Sequence, residues 1–179
     1  MRIEAHRALI PALVPSVRYL TVTITAPEAA RRTDRPAVNV AFVVDRSGSM
    51  AGRKIEMARE AATLAIRLLG ATDRFGVVAY DHEVTTVLDS APASPEAKTL
   101  ALARLNEIDA RGNTNLDEGW LRGLNLVAGS TPTPTPNGPA AADVVCRVLL
   151  LSDGLANAGE TNPDALARRA AEFRARGIA

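Results

Sequence analysis

The 179 residues carry 21 Lys and Arg against 20 Asp and Glu, and 47% of them are hydrophobic. Such a chain can bury one real core; its balanced charge excludes a polyelectrolyte tail and removes the usual basis for sequence-independent binding to phosphate backbones, so nucleic acid is not an expected partner. Cys146 is the single cysteine and no Asn-x-Ser/Thr acceptor occurs, so the expected setting is a reducing, cytoplasmic one.

The first apolar stretch, Ala8 to Val14, is interrupted by Pro11 and closed by Pro15, and Glu4 stands where a leader would be basic. Neither a signal peptide nor a membrane span is expected. Residues 16 to 26, SVRYLTVTITA, set Val17, Tyr19, Thr21, Thr23 and Thr25 against Arg18, Leu20, Val22 and Ile24, which reads as one strand. Residues 30 to 36 read as an exposed linker. Residues 1–37 are therefore expected to hold one orphan strand and a linker, with a second domain over 38–179.

From Val38 the pattern changes. The runs 38 to 44 (VNVAFVV), 74 to 80 (RFGVVAY) and 144 to 151 (VVCRVLLL) are apolar on both faces and suit a sheet covered on both sides. Helical patterns lie between them. Ile55, Ala58, Ala62, Ile66 and Leu69 recur at helical spacing and stop at Gly70; Ser94-Pro95 opens a second helix, Asn115 a third and Asn162-Pro163 a fourth. Asp81 to Leu88 returns directly after a tight turn, giving one antiparallel edge strand. The fold class is α/β, a doubly wound, mostly parallel, Rossmann-like sheet. Residues 130 to 142, STPTPTPNGPAAA, read as an exposed Pro/Thr loop. Gly177-Ile178-Ala179 reads as the opening of another buried strand, so the chain is expected to be a fragment truncated at its C-terminus.

The chemistry-bearing residues follow the buried strands. Asp45-Arg46-Ser47-Gly48-Ser49-Met50 leaves the first, Asp153 of LLSDG leaves a later one, and Gly112-Asn113-Thr114-Asn115-Leu116 delivers a hydroxyl at a helix start. Parallel strands put their C-terminal ends on one edge, at the switch point where open α/β sheets bind ligands. Asp45, Ser47, Ser49, Thr114 and Asp153 thus gather hard oxygens at one crevice, and a hard divalent cation is the natural occupant.

These three motifs, in this order and context, resemble the metal-ion-dependent adhesion site of von Willebrand factor A (VWA) domains. The resemblance runs from about Val38 to the end, and VVDRSGSM and RVLLLSDG look most like bacterial members. It implies that Ser47, Ser49 and Thr114 ligate Mg2+ or Mn2+ directly, while Asp45 and Asp153 act largely through water. Ser152 stands where the family commonly has threonine, and the family's sheet goes on for roughly two more strands and a helix. Many bacterial relatives set this domain inside a β-sandwich, which would account for the strand at 16 to 26 and allows for other domains in a full-length protein.

Other features carry blander readings. Asp81-His82-Glu83 reads as an exposed turn, since His-Glu-x-x-His fails at Thr86. Cys146, Trp120 and Leu124 read as core. Arg46 points from the metal loop and is either a ligand-selectivity residue or a solvated side chain. The expected function is a metal-dependent protein-binding module, not an enzyme, whose Mg2+ engages an Asp or Glu carboxylate of a partner protein. The alternative is a Mg2+-dependent hydrolase acting on a phosphate or ester, with Ser47 or Ser49 as nucleophile.

Overall fold

The computed structural model describes residues 2–5, 20–23, 35–130, 144–154 and 158–179. Along the chain these form β1 (Arg2–Ala5), β2 (Leu20–Thr23), β3 (Ala37–Asp45), a 3-10 turn (Gly48–Met50), α1 (Arg53–Leu68), β4 (Arg74–Tyr80), β5 (Val84–Pro92), α2 (Pro95–Asn106), α3 (Leu116–Ser130), β6 (Val144–Leu151) and α4 (Pro163–Ala175). The chain divides into two compact units, Met1–Arg35 and Pro36–Ala179.

In the first unit, β2 lies within the strand expected at 16 to 26, but it is not an orphan. It pairs antiparallel with β1, Arg2 opposite Thr23 and Ala5 opposite Leu20. Four residues, RIEA, are too few for alternation to mark a strand, so this partner was invisible in the pattern. Ala8 to Val14, residues 16–19 and 24–26, the linker up to 34 and residues 131–142 of the Pro/Thr stretch lie outside the described residues.

The second unit holds a four-stranded sheet in the order β5-β4-β3-β6. β4 and β6 run parallel to β3 on either side of it, and β5 is the antiparallel edge. The centre belongs to β3 because its residues can be covered on both faces. Val40, Phe42 and Val44 pack with Phe75, Val77 and Ala79 against Ile55, Ala58, Ala62 and Ile66 of α1 and Ala101 and Leu105 of α2. Ala41 packs on the opposite face with Leu124, Val127, Cys146 and Phe173, with Trp120 against them, while Val43 meets Val78 and Tyr80. The core readings of Cys146, Trp120 and Leu124 hold. Among the described residues no helix is long and apolar enough to cross a membrane.

Helix starts follow their caps. The Ser94 hydroxyl accepts from Ala97 N–H at 3.2 Å, and the Asn162 side chain accepts from Asp164 N–H at 2.9 Å, each with proline at the first turn. After α4 the chain returns to the sheet as expected. Ile178 bridges Cys146 in parallel, Val148 N–H donates to Ala179 O at 2.8 Å, and Ala179 N–H donates to Cys146 O at 3.3 Å.

α3 lies unusually close to the sheet. A methyl group at Gly123 would overlap the Val43 side chain, and one at Gly119 would overlap the Tyr80 ring. At its far end the buried Asn39 amide of β3 donates to Val127 O at 3.1 Å and to the Ser130 hydroxyl at 3.2 Å. Gly123→Ala should therefore cost about 1–3 kcal/mol of unfolding free energy through overpacking. Gly129→Ala, where nothing lies within 4 Å, should be neutral or gain up to about 1 kcal/mol from helix propensity. Urea unfolding of both variants checks the pair, and equal effects would contradict the close approach.

Candidate metal-ion site

The candidate residues lie where three strands end. Asp45 closes β3 opposite Tyr80 of β4, and Val44 pairs with Leu151 of β6, so Asp153 leaves the sheet beside Asp45's strand. Asp45 is fully buried. Its Oδ1 accepts from Ser47 N–H at 2.8 Å and its Oδ2 accepts from the Ser152 hydroxyl at 2.7 Å, so the carboxylate is held in one orientation. Ser47 is also buried, and its hydroxyl lies 3.1 Å from that of Ser49.

Backbone bonds tie the Thr114 loop to this one. Gly48 N–H donates to Gly112 O at 2.9 Å and Arg111 N–H donates to Arg46 O at 2.6 Å. Gly112 has φ +65°, and a side chain there would strike His82, which explains the glycine of GNTNL. Thr114 is buried, and its carbonyl accepts from Ala158 N–H at 3.0 Å, so the loop after β6 also closes over it. The Asp45, Thr114 and Asp153 loops are thus built as one edge. Asp153 Oδ2 accepts from the Lys54 ammonium at 2.8 Å, and the same ammonium donates to Ser49 O at 3.1 Å.

Four neighbours were not singled out from the sequence as parts of the site. Ser152, read only as a mild departure, orients Asp45. Lys54 places a cation among the site's oxygens. Tyr80 buries its hydroxyl beside the site: burial raises its phenol above the ordinary value, Ser152 opposes this, and the Asp45 and Asp153 carboxylates add to the rise, so it stays a neutral phenol.

Asp81 is the fourth, and the exposed-turn reading holds only for its neighbours His82 and Glu83. Asp81 is fully buried because its carboxylate is a junction: Oδ2 meets Arg111 Nε at 2.8 Å and Arg46 Nε at 3.0 Å, and Oδ1 accepts from Glu83 N–H at 2.7 Å. Burial opposes its ionisation, but the Glu83 backbone N–H and the Arg111 and Arg46 guanidiniums outweigh burial and hold the carboxyl below its ordinary range. Asp81, His82 and Glu83 form an acidic cluster close enough to hold an ion, yet both carboxylates already face Arg111. Arg46 is 12% exposed and donates to the Thr85 hydroxyl at 3.1 Å, so its solvated reading is overturned. No local pattern announces the convergence of two distant arginines on Asp81.

Residues 40–155 match the family model of the von Willebrand factor type A domain. The chain belongs to the VWA domain family. It is 34% identical over 165 residues to inter-alpha-trypsin inhibitor heavy chain H4 of Homo sapiens, a match covering 91% of this chain and 17% of that one. The heavy chain H4 of Sus scrofa is 36% identical over 137 residues, covering 75% of this chain and 14% of the other. The chain thus spans under a fifth of the length of these relatives. Among solved structures, a von Willebrand factor type A protein from Catenulispora acidiphila superposes with a TM-score of 0.63 at 22% identity, over 82% of this chain and 32% of that one. The VWA fold is therefore common ground, and VWA domains are commonly protein-interaction modules.

The Asp81 junction yields a stability prediction for this VWA domain. Asp81→Ala should lose roughly 2–3 kcal/mol near neutral pH, the scale of hydrogen bonds to charged groups. Because the folded-state pKa is lowered, Asp81's contribution is complete above the unfolded-state value of about 3.9 and disappears as pH falls through the lower folded-state value. Urea unfolding of wild type and variant should converge in acid; a difference that grows in acid would contradict the junction.

Proposed function

We propose that this VWA domain is a cation-dependent protein-binding module. Asp45, Ser47, Ser49, Thr114 and Asp153 would hold Mg2+ or Mn2+, and the carboxylate of a partner's Asp or Glu would complete the coordination. The observation that carries the reading is an ammonium, that of Lys54, already seated against Asp153 and Ser49 O beside the Ser47–Ser49 hydroxyl pair. A cation is thus already held at this edge by Asp153 and a neighbouring carbonyl, and the side-chain donors proposed around it are hard oxygens with no His or Cys. When bound, the ion supplies Lewis acidity toward an anionic oxygen.

The chain's own residues fix the geometry. Asp45 spends both oxygens on Ser47 N–H and Ser152, which suits a role through water better than direct ligation. The same engagement argues against Asp45 as a general base for Ser47 or Ser49, so binding is favoured over hydrolysis. Arg46 enters as a selectivity residue acting through the loops it ties to Asp81 and Thr85, with the more exposed Arg111 beside it.

Isothermal titration with Mg2+, Mn2+ and Zn2+ tests the site. Mg2+ and Mn2+ should bind; Asp45→Ala should abolish that binding while leaving the folded circular dichroism unchanged. Tight Zn2+ binding with no Mg2+ response would overturn the reading. Thr114→Ala should weaken capture of a carboxylate-bearing partner more than it weakens the bare ion, and Arg46→Ala should change partner preference while sparing the ion. A partner retained equally in Mg2+ and in chelator would move the interaction surface elsewhere.

A further inference from the structure

We propose that Lys54 is a tethered counter-cation of this site, which a divalent ion must displace, so that Lys54 sets the affinity for the ion. The inference rests on the metal-binding reading above. Its ammonium lies 2.8 Å from Oδ2 of Asp153, a proposed ligand, and 3.1 Å from the backbone carbonyl of Ser49, another.

The location of Lys54 is otherwise unfavourable. It stands in the first turn of α1, where the positive end of the helix dipole disfavours a cation, so its anchor must come from outside the helix. Asp153 supplies it. The choice of lysine is also informative, because Lys54 and Lys98 are the only lysines among 21 basic residues, the rest being arginine. Lys98 too is used as a compact point charge, donating to Leu69 O at 2.6 Å at the end of α1. An arginine fork would hold a carboxylate in two places; an ammonium holds it in one and releases it more simply.

Charge balance gives the direction. Asp45 and Asp153 bring two negative charges, and Lys54 offsets one of them. A divalent ion beside a seated ammonium leaves the group with one positive charge in excess, whereas a withdrawn ammonium leaves it neutral. Withdrawal is open to Lys54 because its side chain is 56% exposed and its stem reaches solvent.

The test uses the chain as it stands. Titration calorimetry with Mg2+ should show Lys54→Met binding about two- to fivefold tighter than wild type, the fold-change of breaking one exposed ion pair. Lys54→Arg should not bind tighter than wild type. As a second readout, acylation of the two lysines by an amine-reactive ester, followed by mass spectrometry, should speed up at Lys54 on Mg2+ addition while Lys98 stays constant. Thermal unfolding in chelator verifies that the variants are folded. If wild type binds Mg2+ but Lys54→Met binds equally or more weakly, or Lys54 acylation does not respond, Lys54 is not displaced and the proposal is wrong. If folded wild type binds no Mg2+ at all, the metal reading falls and this inference with it.

Discussion

A carboxylate buried at the end of a strand covered on both faces is the constraint around which the candidate site is organised. β3 keeps Val40 to Val44 out of water on both faces and then ends on Asp45, also fully buried. Burying a charge without partners costs several kcal/mol. The structure meets that cost with donors from two directions, the backbone of the next loop and the hydroxyl of Ser152 after β6. Both parallel neighbours of β3 are therefore needed: one to bring Ser152 to Asp45, the other to cover the strand and supply Tyr80.

Contrast with another buried aspartate clarifies what makes this end of the sheet distinct. Asp73, at the opposite edge, accepts Val38 N–H at 2.9 Å and Gly70 N–H at 2.6 Å and simply closes the turn into β4. Asp45 accepts from the Ser152 hydroxyl and shares its sheet edge with Asp153, whose own partner is a half-exposed lysine. Buried acids are common; acids gathered with several hydroxyls at a switch point are the rarer arrangement. Asp81 holds an intermediate position, a structural junction that fastens Arg46 and Arg111 and so braces the two loops carrying Ser47 and Thr114.

The legible part of the fold was the part written in period and punctuation. Apolar runs located β3, β4 and β6, the stripe from Ile55 to Ile66 located α1, and Ser94, Asn115 and Asn162 marked helix starts. Motif order brought the three loops of the site to one edge because parallel strands share a direction. What escaped depends on partners far apart in sequence. The pairing of β1 with β2 involves strands of four residues; the burial of Asp81 needs Arg46 and Arg111; and the need for glycine at 119 and 123 comes from Tyr80 and Val43 on other elements. The Lys54–Asp153 pair escaped as well, because nothing local says that this ammonium meets a carboxylate 99 residues away.

The close approach of α3 has a mechanical consequence. β3 and α3 are joined near one end through the Gly48–Gly112 bond and near the other through the Asn39 amide on Val127 and Ser130. The helix between these joints is about 22 Å long at 1.5 Å per residue. Strand and helix thus form a braced frame, with the candidate site at one corner. A shift of the Thr114 loop along the helix axis would be resisted along the whole helix, by the sheet beneath Gly119 and Gly123 and by the Asn39 amide at the far end.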